Sequence, residues 1–275
     1  PFLSNSYKNM TMIVDESEIF YGAEIRPSGS PWHTSARANL RQRGKWKLPS
    51  SSMFRNSRKF TFDNTIAAEG AGALHNNNMM RYLLYQLGHE VNEDEFALTI
   101  ENDNAPEFNE IVEPCGNDML DRFWTDGSDG EFYKIDDHFR FDDNYGKAEI
   151  TNRHFWYDAP NSRGETNYPD PNAAGSYHTA WIKRSREADY DYSALINFFK
   201  TLSENEYTED EIGRMVNIDK LAIMTAVRGY AADWDSVTNT RPKNSFFYRP
   251  PNGGRWQLLH WDSDLGFQSG SAGDP

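Results

Sequence analysis

A single cysteine, Cys115, stands in 275 residues, so no disulfide can form within the chain. That count does not fix the compartment, because a secreted bacterial protein can simply lack cysteine. Basic residues are also scarce: 28 Lys and Arg against 42 Asp and Glu leave a formal net charge of −14. A surface of that sign does not neutralise phosphates or anionic headgroups, which excludes nucleic acid and anionic lipid as leading partners and favours metal ions or basic proteins. No apolar run approaches the roughly 20 residues that cross a bilayer, so membrane insertion is not expected. The opening PFLSNSYKNM has neither the charged nor the apolar region of a signal peptide. Starting at Pro1 and stopping at SGSAGDP, the sequence reads as a processed or partial piece of something longer, so the missing leader does not argue for a cytoplasmic home. Apolar residues make up only 37% and the mean hydropathy is −0.81, yet 14% of residues are aromatic, including 8 Trp and 14 Tyr. Large aromatic side chains supply the buried surface that aliphatic ones do not. The length suits one domain with lobes.

Alternation of apolar and polar residues predicts strands over 18–26 (EIFYGAEIR) and 58–63 (RKFTFD), with a long connection bearing Arg, Ser and Pro between them. In GALHNNNMMRYLLYQLG, 72–88, Leu74, Met80, Leu84 and Leu87 recur at helical spacing and Gly88 supplies a stop. Strands are expected again at 96–101 (FALTIE) and, after a DGSDG turn, at 130–136 (GEFYKID). Residues 137–192, rich in Asp, Asn, Tyr and Pro and without periodicity, read as a long functional insertion. Its Trp156, Tyr157, Tyr168 and Trp181 either recognise a partner or pack their own loop down. Helices are predicted over 192–202 and 218–231, the second the most apolar stretch and central to a second lobe. Between them TEDEIGRMV pairs Thr208 as N-cap with Glu211 in a capping box.

The C-terminal region carries the chemistry. NSFFYR and RWQLLHW flank PPNGG, and Asn-Gly accepts positive φ at both centres of a tight hairpin turn. With Asn252 and Gly253 at that turn, Asn244 faces Trp261 and Lys243 faces Asp262, so Asn244 and Asp262 become neighbours at the open end. The chain reaches the same end through DWDSVTN, bringing Asp233, Asp235 and Asn239. Carboxylate and amide oxygens are hard ligands suited to Mg²⁺ or Ca²⁺, and the seven histidines are scattered. An Asp, an Asn, a hairpin and a second Asp is also the order of a kinase site: Asp235, Asn239 or Asn244, hairpin, Asp262. Three other readings stand beside it. An Asp after a strand is often a turn or a cap; DWDSVTN or TDGSDGE could be a structural Ca²⁺ loop; and two facing carboxylates can serve a glycoside hydrolase.

DWDSVTNTRPKNSFFY followed by WDSDLGF resembles the C-terminal signature of the spore coat protein H (CotH) kinase family. FYGAEIRPSGSPW, RKFTFD, NNNMMRYLLYQLG, IVEP and GEFYKID fall in that family's order, so the resemblance runs from about residue 12 to 267. It implies an α+β, atypical protein-kinase-like fold of two lobes: a mixed or antiparallel sheet in a first lobe (about 12–136), the insertion (about 137–192) and a more helical second lobe (about 193–275). It further implies ATP and Mg²⁺ as cofactors and Ser or Thr hydroxyls of secreted or coat proteins as substrates, hence an extracellular, cell-surface or spore-coat location. Carried over by position, Asp235 is the catalytic base and Asp262 the metal-binding Asp, with Asn244 preferred to Asn239 as a further ligand and Asp264 as a supporting or second-metal carboxylate. Glu113 becomes the first-lobe Glu, Lys134 a further basic residue of the site, and Arg26 a cofactor-binding residue of the FYGAEIR segment. Among Arg55, Arg58 and Lys59, Lys59 is the choice for the phosphate-binding cation. RQRG (41–44) offers a second register, in which amides near Gly44, or near Gly29, cradle phosphate. Loss of the cation would make the chain a pseudokinase, and the rival of a different class is a calcium-stabilised surface binding module.

Overall fold

The computed structural model describes residues 7–27, 43–63, 73–100, 102, 104–135, 138–142, 147–151, 181–186, 189, 191–203, 208–234, 236–238 and 244–267. Strands β1 (Lys8–Val14), β2 (Glu18–Pro27), β3 (Arg43–Lys47) and β4 (Lys59–Asp63) precede helix α1 (Ala73–Gln86), which β5 (Asp94–Thr99) and β6 (Glu107–Val112) follow. These strands form one antiparallel sheet in the order β1-β2-β3-β4-β6-β5. After α2 (Asn117–Phe123) come β7 (Glu131–Ile135), the isolated pair β8 (His138–Asp142) and β9 (Lys147–Thr151), and β10 (Trp181–Lys183). Helices α3 (Ser193–Ser203), α4 (Glu209–Met215) and α5 (Ile218–Tyr230) then lead to the hairpin of β11 (Ser245–Arg249) and β12 (Gln257–His260). A second antiparallel sheet runs β10-β7-β11-β12. The architecture is α+β, with a sheet-rich first half and a more helical second half.

Three elements sit where the sequence reading did not put them. β3 lies inside the stretch read as a connection. Its Lys-Trp-Lys alternation is too short to stand out, but Trp46 stacks on Phe62 at 3.8 Å and fixes the strand against β4. β7, counted by chain position with the first lobe, pairs with β11 and β10 instead. Phe132, Tyr133 and Ile135 are all buried, as befits a strand covered on both faces. β10 falls within the supposed insertion, and its Trp181, 1% exposed, is core rather than a partner-binding aromatic. Trp156, Tyr157 and Tyr168 lie outside the described residues.

Other expectations match. Asn252 and Gly253 have φ of 60° and 82°, the left-handed pair that a tight turn needs. Register follows from it: Tyr248 pairs with Gln257 and Ser245 with His260. Pro250 and Pro251 have no N–H to give, so the ladder stops short of the turn. Thr208 and Glu211 form the reciprocal capping box of α4. α1 ends in a Schellman motif: Gly88, at φ 76°, donates its N–H to the Tyr85 carbonyl, and His89 donates to that of Leu84.

α1 joins the two halves because its faces differ. Met80 and Leu84, four residues apart, are fully buried in the core of the second half beside Tyr133, Trp181, Phe247 and Trp256. Asn77, Asn78 and Arg81 point to the first sheet: Arg81 Nη1 donates to Asp94 of β5 at 2.7 Å and to Glu110 of β6 at 2.5 Å, and Asn78 donates to Asp94 at 2.9 Å. The first sheet's opposite face carries its own core of Phe20, Phe54, Phe60, Phe62 and Ile111.

Burial holds the His89 ring below the ordinary histidine pKa, against the opposing pull of Glu90; Lys220 lies nearby as well. Nδ1, 3.2 Å from the Glu90 carbonyl, carries the proton of the neutral ring. Below about pH 6.5 the unfolded chain takes up a proton that this ring refuses, so stability falls as pH falls, approaching about 1 kcal/mol per pH unit for one such histidine. Urea denaturation at pH 7.5 and 5.5 should show that loss, and His89→Gln should make it shallower. A slope unchanged by the substitution would remove His89 as its source.

Candidate active site at the open end of the hairpin

The open end of the hairpin is organised by an arginine. Arg228, in the last turn of α5, is fully buried. Its Nε donates to Asp233 Oδ2 at 2.7 Å. Nη1 donates to the Asn244 carbonyl at 2.6 Å and to Ser245 Oγ at 3.0 Å. Nη2 shares its hydrogens among the carbonyls of Trp261 at 3.3 Å and Asp262 at 3.0 Å and Ser263 Oγ at 3.1 Å. One planar guanidinium thus binds the end of the helix, the start of β11 and the segment after β12, which a lysine's point charge cannot do. Asn244 and Asp262, whose adjacency follows from the hairpin register, are held on the two terminal nitrogens of the same group.

Four residues near this end adopt left-handed backbone conformations. Ala232, Asn244, Asp262 and Phe267 have φ of 50°, 57°, 52° and 55°. Asn and Asp tolerate the left-handed region better than most residues, while each such conformation costs on the order of 1 kcal/mol and clusters where a chain must present groups in a fixed way.

Ser263 lies within hydrogen-bond distance of both His260 Nε2 and Asp233 Oδ2, at 2.8 Å each. This is not a nucleophile with its base. Ser263 is fully buried and gives its single proton to Asp233, so His260 must be the Nε2–H tautomer donating to Ser263. Burial, with Arg228, Arg81 and His89 adding to it, keeps the His260 pKa well below the ordinary value and the ring neutral. The trio fixes the segment that carries Asp262.

Of the residues singled out from sequence, Asn244 and Asp262 share Arg228 through their backbone carbonyls, and Asp264 follows two residues along the chain. Asp264 is buried and its carbonyl accepts from Asn76 of α1 at 2.9 Å. Lys134, half-buried on β7, is the Cα partner of Phe246 and so lies toward the same end of the sheet. Asp235 and Asn239 lie outside the described residues. Lys59 opens β4 and is exposed; alternation with the buried Phe60 and Phe62 puts it on the face of the first sheet that α1 covers. Arg26 is on that face too, opposite Lys45, which in turn faces Thr61. Lys45 escaped the sequence reading because β3 did. Glu113 is not among the described contacts of Asp262 or Asn244. Its carboxylate accepts Arg122 Nη1 at 2.8 Å, Arg122 Nη2 at 2.5 Å and the Glu93 N–H at 3.1 Å, and so ties β6 to α2. Glu110 of β6 is linked through Asn77 to the backbone N–H of Ser263, the residue after Asp262. The TDGSDG turn is closed by protein groups: Tyr248 donates to the Gly127 carbonyl at 2.8 Å and Asp121 accepts the Ser128 N–H at 2.7 Å.

Among the described residues no three His, Cys, Asp or Glu side chains are grouped so that they could hold a metal ion. The candidate ligands at the open end, Asn244, Asp262 and Asp264, are an amide and two carboxylates. That set fits a hard cation that keeps positions open for water or phosphate, and does not fit zinc or copper.

The CotH kinase protein family matches residues 40–274, from β3 past the end of β12. No curated protein matches the chain. With the signature segments placed on the hairpin, on α1 and on the segment that carries Asp262, the chain belongs to the CotH kinase protein family.

Proposed function

We propose that the chain is a Mg²⁺-dependent protein kinase that moves the γ-phosphoryl group of ATP to a Ser or Thr hydroxyl of a secreted, surface or coat protein. The observation that carries this reading is the Arg228 clamp, which holds the backbones of Asn244 and Asp262 on one guanidinium, both at positive φ, at the open end of the hairpin. Mg²⁺ and ATP, when bound, supply the transferable phosphoryl group and the positive charge that neutralises it. Asp262 and Asn244 hold the cation, Asp264 supports them, and Asp235 accepts the proton of the attacking hydroxyl. Lys59 or Lys45, with Arg26, faces the phosphates from the first sheet, and Lys134 adds positive charge from the second. Such catalysis is mostly positioning and charge neutralisation, so the ligands must be fixed before the nucleotide arrives.

Thermal unfolding separates this reading from its rival. A ligand that binds only the folded chain raises the midpoint, by mass action. The midpoint should rise with Mg²⁺ and ATP together and by much less with either alone. A rise with Ca²⁺ and none with Mg²⁺ and ATP would make the chain a calcium-stabilised binding module.

A further inference from the structure

We infer that Asn77 and Asn76 of α1 are positioning residues for Asp262, coupling the first sheet to the cation-binding segment. The inference rests on the kinase reading above. Arg228 grips residues 261–263 from the second half only, through two carbonyls and the Ser263 hydroxyl. Two further backbone groups beside Asp262 are taken by α1: the Ser263 N–H donates to Asn77 Oδ1 at 2.6 Å, and Asn76 Nδ2 donates to the Asp264 carbonyl at 2.9 Å. Asp262 is therefore followed by two residues whose main chain is pinned from the opposite side.

Hydrogen-bond polarity settles how Asn77 is oriented. A backbone N–H can only donate and the Glu110 carboxylate can only accept, so the amide oxygen must face Ser263 and the nitrogen Glu110, at 3.4 Å. Glu110 is 2.5 Å from Arg81 Nη1, which also holds Asp94. A chain of buried polar groups thus runs from β5 and β6 through α1 to the residue after Asp262. Met80 and Leu84 on another face of α1 lock the helix into the second core. The helix is a strut whose docking on both halves sets the conformation in which Asp262 is presented. Removing the Asn77 oxygen strands the Ser263 N–H in a buried site, and the segment relaxes to recover a partner.

The test uses the full chain and calorimetric titration with ATP, once with Mg²⁺ and once with EDTA. Asn77→Ala should weaken binding of ATP in Mg²⁺ by about tenfold, of the size expected for one stranded buried donor. Binding in EDTA, which does not use Asp262 as a cation ligand, should change less than about twofold. The double substitution Asn77→Asp with Glu110→Gln keeps the total charge, reverses the hydrogen bond between the two side chains and restores an acceptor for Ser263; it should recover most of the lost affinity. If Asn77→Ala does not fold, Asn76→Ala, at a half-buried position, carries the same comparison with a smaller expected loss. Equal weakening in Mg²⁺ and EDTA, no rescue, or unchanged affinity in Mg²⁺ would overturn the positioning role while leaving the kinase reading intact. Wild-type chain that binds no ATP with Mg²⁺ would sink the kinase reading itself and the positioning role with it.

Discussion

Arg228→Leu is expected to lower the unfolding free energy by about 3–5 kcal/mol, the cost of removing one partner from a buried ion pair. Leucine leaves the fully buried Asp233 carboxylate with the Ser263 hydroxyl as its described donor. It also strips the guanidinium from the carbonyls of Asn244, Trp261 and Asp262. Arg228→Lys should recover little, because one ammonium cannot reach acceptors spread around a planar fork. Arg228→Leu with Asp233→Asn should be less destabilised than Arg228→Leu alone, since no uncompensated charge remains. Urea denaturation followed by circular dichroism measures all three, the midpoint falling while the slope stays constant. If Arg228→Leu unfolds within about 1 kcal/mol of wild type, the clamp contributes little and the open end is held by other means.

Local chemistry made much of this fold legible. Asn252-Gly253 fixes two positive φ values, and with them the register that puts Asn244 beside Asp262. Gly88 and the Thr208/Glu211 pair likewise end and start their helices where their backbone requirements dictate. Arg228 was not legible, because an arginine near the C-terminus of a helix ordinarily faces solvent and interacts with the helix dipole. Only the tertiary return of three segments to one point makes it the centre of a buried network. Asn77 was hidden for the same reason: three consecutive asparagines in a helix read as a polar surface, whereas they meet carboxylates on β5 and β6 and the backbone after β12. β10 is three residues long and separated from its partner β7 by residues 136–180, so nothing local announces it. Lys59 shows the limit of motif transfer. Its strand was found, but strand alternation fixes only a face of the sheet, and on that face Arg26 and Lys45 are neighbours across β2 and β3.

Asp262→Asn should abolish ATP turnover, with a fall of at least about a thousandfold, and leave the fold in place. Two properties of the position separate the effects. Asp262 is tied to Arg228 through its backbone carbonyl, which the substitution keeps. Its φ of 52° is one that asparagine adopts as readily as aspartate. What changes is the side-chain charge, and with it, on the kinase reading, the attraction for a divalent cation that would neutralise phosphate charge as the phosphoryl group transfers. The unfolding midpoint without ligand should therefore stay close to that of wild type, while the rise produced by Mg²⁺ with ATP shrinks. That pattern distinguishes Asp262 from Arg228, whose loss should damage stability first and activity as a consequence. Normal turnover by the Asp262→Asn chain would remove Asp262 from the cation site and leave the strained hairpin end as a structural feature of the fold.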